Sequence, residues 1–377
     1  MSSTFRFNPR LKPDNMVSPL RIGIAGAGLL GRLAAWSLSR LGHSVSVFDP
    51  AEGPNPRFDG QGAAGFTAAG MLSPLAELDA AEADVAAMGW RSIEHWSRIL
   101  QSIDQQMPPP HFDRRGSLLV AHGSDLGAAQ RVLSRIQQAA LQWPQQPEKL
   151  SAPALAEMEP ALHGARGPLH AWLLPGEGAI CTVGTLKALH AHAHGVHWHW
   201  QHCVTQVRAG ELTVLSPTGQ ESTLPFDWVW DLRGAGAKSQ LPVRGVRGEV
   251  IWLHAPEVAL TRPVRLLHPR HRVYIVPRPG NVYLVGASEI ESEDRSNVSL
   301  RSAVELMAAA HSIVPGLAEA RILRMDSNLR PAMPDNRPHL HQEPGLVRIN
   351  GLYRHGWLLA PALLDDALTH TGLLPAS

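Results

Sequence analysis

Between Arg21 and Asp49 the hydrophobic pattern changes period twice. Ile22 and Ile24 alternate as in a strand, Leu30, Ala34, Leu38 and Leu41 then recur on one helical face, and "SVSVF" returns to alternation before Asp49. Gly26-Ala27-Gly28-Leu29-Leu30-Gly31 separates the first strand from the helix, and Gly42 ends the helix. Strand, glycines, helix, strand and terminal acid, in that order, predict a βαβ unit that binds a dinucleotide. The glycines allow a tight turn and let backbone N–H groups approach a pyrophosphate at the helix N-terminus. Asp49 accepts hydrogen bonds from an adenosine ribose. The unit by itself does not separate NAD from FAD.

The pattern downstream alternates between helices and strands. "GQGAAGFTAAGMLSPLAE", Gly60 to Glu77, is rich in small residues and reads as a buried segment facing a ligand. A long helix is predicted near 78–104, a strand at "GSLLVAH", a second helix from Asp125 to about Gln142, and a helix N-capped by Ser151. "LHAWLLP" reads as a strand and "GEGAI" as a turn. Thr182 to Ala193 is helical, Gly195 stops it, and "VHWHWQHCVTQV" is strand-like. "ELTVLS" and "ESTLPF" form a hairpin around Pro217–Gly219, and "DWVWDLRGAGAKS" is a buried strand entering a glycine turn. "GEVIWLH", "VRLLH", "RVYIVPR" and "NVYLVGA" are further strands, and Ser299 to about Ser312 is a helix. "LVRINGLYRHG" is a last strand and turn, leading into a final helix. No internal repeat is visible.

Composition narrows the function classes. The 377 residues suit two to three domain-sized units. With 44% hydrophobic and 18% charged residues the chain is ordinary for a soluble globular protein. A net charge of +1 and the lack of a long lysine or arginine run argue against nucleic acid as the main partner. Cys181 and Cys203 read as reduced thiols of a cytosolic protein, and no apolar run approaches the about 18 residues of a membrane span. Residues 1–20 read as a disordered leader without a secretory signal, and translation from Met16 is an open alternative. His190, His192, His194, His197, His199 and His202 suggest a metal site, but the change from helix to strand at Gly195 scatters them over different faces. We expect no metal. Glu291, Glu293 and Asp294 beside Arg295 read as a solvated loop.

The βαβ unit, "AAGMLSPLAE", "YIVPRPGNVYLVGA", "NLRPAMPDNRP" and "GLYRHGWLLAPA", in that order, resemble FAD-dependent amine oxidases of the D-amino-acid oxidase superfamily, and most closely the glycine oxidases of thiamine biosynthesis. The resemblance runs from about Arg21 through nearly the whole chain. It implies an α/β fold: a discontinuous, Rossmann-like FAD-binding domain (21–77, 170–240 and 322–377), and an α+β substrate domain on a mixed, antiparallel-rich sheet (78–169 and 241–321). FAD is the implied cofactor. Its site would comprise Gly26, Ala27, Gly28, Leu29, Leu30, Gly31, Asp49, Ala69, Gly70, Met71, Val204, Arg233, Gly234, Arg354, His355, Gly356, Trp357 and Leu358. Val204 would contact adenine through its backbone, and the last helix would approach the flavin with its N-terminus, stabilising negative charge on the reduced ring.

By the same resemblance, Arg330 grips the substrate carboxylate, as a planar guanidinium suits. Tyr274 helps hold that carboxylate, and Arg354 is a second arginine near the substrate. Glu289 departs from the pattern, standing where many glycine oxidases carry an apolar residue. A pocket carboxylate and a solvent-facing strand end are both open for it. The implied reaction is oxidative deamination of glycine, sarcosine or a small D-amino acid by hydride transfer to FAD, without a side-chain base. Oxygen would be the second substrate and hydrogen peroxide a product. A D-amino-acid dehydrogenase passing electrons to a quinone or another acceptor would use the same residues, and a non-catalytic flavin-binding module would have no reason to hold the arginine pair. The expected enzyme is cytoplasmic, with a homo-oligomeric state left open.

Overall fold

The computed structural model describes residues 19–103, 110–164, 167–268 and 272–374. The expected leader, apart from its last two residues, lies outside the described residues. The opening unit folds as its pattern requires, with β1 (Arg21–Ala25), α1 (Leu29–Arg40) and β2 (Ser44–Asp49). β1 and β2 run parallel at the centre of a six-stranded sheet. Trp228–Asp231 and Leu346–Asn350 extend it in parallel on one side, His339–Glu343 closes that edge antiparallel, and His197–Trp200 flanks β2. The sheet is thus assembled from both ends and the middle of the chain.

An eight-stranded, mainly antiparallel sheet forms the second layer, in the order 321–332, 244–254, 282–286, 272–278, 264–267, 117–122, 169–174, 148–150. Helix Leu300–Ile313 covers part of it through Ala303, Leu306, Ala310 and Ile313. Helix Leu126–Ala140 covers the other end through Leu133 and Ile136. The C-terminal helix Gly356–His370 and helix Ala83–Ser102 pack with α1 in one core, where Trp96 stacks on Trp357 at 5.3 Å between ring centroids. The indole N–H of Trp96 donates to the Trp357 carbonyl (2.8 Å).

Two readings of the sequence change. "VHWHWQHCVTQV" is two strands in different sheets, because Gln201 takes a positive φ (59°) and the Gln201 and His202 amides donate to Ala51 and Asp49 carbonyls. In "GEGAI", Gly176 turns, but Gly178–Ile180 is a strand between Met71–Leu72 and Phe112–Asp113. Arg321–Ala332, which lacks regular alternation, is a long edge strand, fixed by pairing with Arg244–His254 along its length. That strand and Leu169–Leu174 hydrogen-bond within the eight-stranded sheet, although the sequence division placed most of both with the cofactor unit. The capping expectation at Ser151 matches the geometry: its hydroxyl accepts from the Ala154 amide.

β1 and α1 meet closely at the glycine turn. A Cβ on Gly31 would lie 1.8 Å from the Gly26 carbonyl oxygen, and Gly26 itself has φ +100°. Gly31→Ala should therefore force α1 away from β1 and cost on the order of 3 kcal/mol or more. Thermal denaturation checks this, and an unchanged Tm would contradict the close approach.

Candidate active site

One continuous cavity of about 690 Å³ runs from the end of β2 to the junction of the two sheets. Asp49, Val204, Arg233 and Gly234 line one end, Gly26–Leu30 the middle, and Ala69–Met71, Tyr274, Arg330 and Gly351–Leu358 the other. The structure therefore brings together, along one cavity, segments separated by more than three hundred residues.

At the first end the Asp49 carboxylate accepts from the Ala27 amide (2.6 Å) and the Ala51 amide (2.9 Å). Arg233 pairs with buried Asp231 (2.7 Å) and donates to the Val204 carbonyl (3.1 Å), tying the second glycine turn to the neighbouring strand. Gly234 has φ +56°, which a side chain would oppose. In the middle, α1 begins at Gly28 without a side-chain cap and without an acid in its first turn. Its first N–H groups are left for an external acceptor, and the helix dipole favours an anion there. A Cβ on Gly28 would meet only Ala63, at 3.7 Å, so the turn is open on its cavity side. A long cavity with an anion-binding turn at its middle fits a dinucleotide better than a single small metabolite.

At the far end Gly351 (φ +71°) turns the chain, and the helix that starts at Gly356 has neither a side-chain cap nor a first-turn acid. Trp357 donates to the Gly65 carbonyl (3.1 Å), locking this helix to the Gly60–Glu77 segment. Ala69 accepts from the buried Arg278, whose guanidinium burial pushes down to about 10. Tyr274 is half-buried, and burial raises its hydroxyl above the usual range, against the opposing charge of Arg330. It is a donor at neutral pH.

The arginines at this end differ. Arg330 donates to the carbonyls of Arg247 (3.3 Å) and Ser288 (3.1 Å), and no carboxylate among the described residues pairs with it. Gly248 makes this possible, because a Cβ there would sit 2.5 Å from the guanidinium carbon. Arg354 is held by two carboxylates, Glu77 (3.1 Å) and Glu289 (3.4 Å).

Glu77 was not singled out in the sequence, although it ends a quoted motif. Buried, it also binds Arg265 (2.7 Å) and faces His355 (3.4 Å). Despite desolvation, the Arg354 and Arg265 guanidinium groups hold its carboxyl well below the usual range. Burial keeps the His355 imidazole below its ordinary value, so it is neutral at pH 7. Glu289 is half-exposed and lies where the main cavity meets a second one of about 1340 Å³. Its carboxylate accepts from the Tyr353 hydroxyl (2.6 Å), which burial and this bond push up to about 12. It combines features of both readings: a strand-end acid that also borders the cavity.

The histidine-rich stretch engages aromatic rings: His190 lies against Trp198, and His199 stacks on Phe48 at 4.5 Å. Among the described residues no group of three or more His, Cys, Asp or Glu is arranged to hold a metal ion. No described helix is long and apolar enough to cross a membrane.

A model of the FAD dependent oxidoreductase family (DAO) matches residues 21–364. A protein of Rhizobium etli named as a thiamine biosynthesis oxidoreductase, ThiO, is 38% identical over 348 residues, covering 92% of this chain and 95% of that one. A glycine oxidase of Geobacillus kaustophilus is 27% identical, over 94% of this chain and 91% of its own. The crystal structure of glycine oxidase from Geobacillus kaustophilus superposes with a TM-score of 0.78 at 24% identity, covering 93% and 95% of the two chains. That of iminodiacetate oxidase from Chelativorans sp. BNC1 gives 0.77 at 24% identity, covering 95% and 97%.

Beneath this end, Glu177 is fully buried and accepts from the Ala76 amide (2.9 Å) and the Ser117 hydroxyl (2.5 Å). Burial pushes its carboxyl up to about 7, against the Ser117 bond. The native state therefore binds a proton that the unfolded chain releases near the ordinary glutamate value. Stability from this group falls as pH rises from that value to about 7, then levels off. Glu177→Gln should remove that slope, so variant and wild type should diverge in the variant's favour between pH 5 and 8. Urea denaturation across that range tests it, and parallel curves would contradict it.

Proposed function

The chain belongs to the FAD-dependent oxidoreductase family, and from that premise we propose that it oxidatively deaminates glycine or another small amino acid, sarcosine and small D-amino acids included. The observation that carries this reading is Arg330, a cavity-wall guanidinium whose partners are carbonyl oxygens rather than a carboxylate. An incoming carboxylate meets a cation already positioned and not neutralised. A planar guanidinium accepts it through two parallel hydrogen bonds. The Tyr274 hydroxyl, protonated at neutral pH, adds a donor. Arg354, balanced by Glu77 and Glu289, contributes to the shape and potential of the pocket more than to net charge.

Gly26–Leu30 with Asp49, and Ala69–Met71 with Gly351–Leu358, would hold the two ends of FAD. Bound FAD supplies the two-electron acceptor and the route of those electrons to oxygen. The chain's residues orient the amino acid by its carboxylate, and exclude bulk water through Tyr274, Trp357 and Leu358. No side-chain base is needed once the amine is neutral, because orientation supplies the main advantage. The substrate loses two electrons and two protons to become an imino acid, and water then releases ammonia and the oxo acid. Oxygen takes up the two electrons and two protons as hydrogen peroxide. The likeness to the Rhizobium etli protein supports a place for this reaction in thiamine biosynthesis.

The activity test is direct. Glycine added without oxygen should bleach the flavin absorbance, and air should restore it with one peroxide per turnover. Bleaching with little peroxide would favour the dehydrogenase. Arg330→Met should retain FAD but lose roughly a hundredfold in kcat/KM for glycine. Unchanged kinetics would remove Arg330 from substrate binding.

Glu289 sets a second test. A carboxylate beside the pocket favours the protonated, unreactive amine, which moves the activity optimum to higher pH. Glu289→Met should lower that optimum and shift preference toward sarcosine. Profiles of kcat/KM against pH for glycine, sarcosine and D-alanine check this, and superimposable profiles would leave Glu289 a strand-end acid.

A further inference from the structure

Arg32 is 1% exposed and lies in the first turn of α1, directly after the glycine turn. Each nitrogen of its guanidinium donates to a backbone carbonyl: Nε to Ala27 (2.9 Å), Nη1 to Leu186 (3.1 Å) and Nη2 to Pro54 (2.8 Å). Phe66 and Trp200 lie against it, at 5.1 and 5.7 Å from the guanidinium carbon to the ring centroids. No carboxylate among the described residues lies within ion-pairing distance, and Asp49 acts on it only from farther away. Burial pushes the group down to about 10, so it stays charged at neutral pH.

A buried cation without a paired anion is costly, and an apolar side chain would normally replace it. Other arginines around this half of the cavity are placed differently. Arg233 is neutralised by Asp231, and Arg57 lies out with Asp59. Arg32 lines the same cavity as Gly26–Leu30, and it grips Ala27, the middle residue of the G-A-G turn. The Ala27 amide is held in turn by Asp49. Both polar groups of Ala27 are thus engaged by side chains, which leaves the anion site to the amides from Gly28 onward.

We propose that Arg32 is the buried counter-charge of the FAD diphosphate, held behind the glycine turn by three carbonyls so that it acts through its field while fixing the shape of the turn. The inference rests on the assignment of this family's cofactor to the cavity. It adds a charge-supplying residue that the glycine fingerprint does not contain. The wall formed by Phe66 and Trp200 keeps water from screening the charge, so its effect on a nearby dianion exceeds that of a surface arginine.

The test separates charge from scaffolding. Wild type, Arg32→Met, Arg32→Gln and Arg32→Lys are purified as full-length holoprotein, and FAD release on dilution is followed by flavin fluorescence. The stripped full-length chain is then titrated with ADP and with adenosine, which differ by the diphosphate. Arg32→Met and Arg32→Gln should release FAD faster and weaken ADP about tenfold or more, with adenosine within twofold of wild type. Arg32→Lys should stay close to wild type for both ligands. Equal weakening of ADP and adenosine would reduce Arg32 to a scaffold, and unchanged ADP affinity would overturn the proposal outright. If Arg32→Met does not fold, the Gln and Lys variants make the same comparison. A wild type that holds FAD while every variant holds it equally well overturns this inference alone. A wild type that binds neither FAD nor ADP overturns the cofactor site, and this inference with it.

Discussion

The carboxylate of Glu77 joins parts of the molecule that would otherwise have little reason to meet. It ends the short helix Pro74–Glu77 on the ligand-facing segment, and binds Arg265 from the eight-stranded sheet and Arg354 from the turn before the last helix. Two cations and a neutral imidazole share one anion whose carboxylate is itself buried. Taking that anion away would remove the carboxylate that Arg265 pairs with and leave Arg354 only Glu289, a loss of about 3–5 kcal/mol for a buried pair. The anion is itself held from below, because Glu177 accepts the amide hydrogen of Ala76, one residue earlier. The relative placement of the two sheets, and with it the width of the cavity between them, depends on this contact.

Charge balance at the inner end of the cavity follows from the same contact. Arg265 and Arg354 are matched by Glu77 and Glu289, whereas Arg330 is solvated only by carbonyls. Three arginines in one pocket would repel one another and attract anions without discrimination. With two of them balanced, the remaining one offers a single, oriented place for an anion. The missing side chain at Gly248 gives its guanidinium room to lie flat against the neighbouring strand.

Much of this was legible in the sequence wherever the signal is local. The period changes from Ile22 to Asp49, the glycines between them and the serine cap at Ser151 depend on neighbours a few residues away, and they fold accordingly. The strand Arg321–Ala332 was not legible. Its charges sit at Arg321, Arg324, Asp326 and Arg330, and its conformation is dictated by a partner some eighty residues earlier. Glu77 and Arg32 were hidden for a related reason. Each looks like an ordinary surface residue of a helix, and only the surrounding carbonyls or cations, drawn from remote segments, explain why it is buried. The resemblance to a known family named residues such as Arg330, but it could not say that Arg354 would be neutralised while Arg330 was not.

The six-stranded sheet has a consequence for how the protein comes into being. Its central strand, β1, has β2 on one side and Trp228–Asp231 on the other, and the next strand outward is Leu346–Asn350. The cavity wall is completed by Gly351–Leu358. A ribosome has translated nearly the whole chain before these pieces exist. The nascent N-terminal βαβ unit therefore waits with one face of its sheet edge unpaired and its glycine turn unroofed. Closure of the cavity is therefore an event of the nearly completed chain.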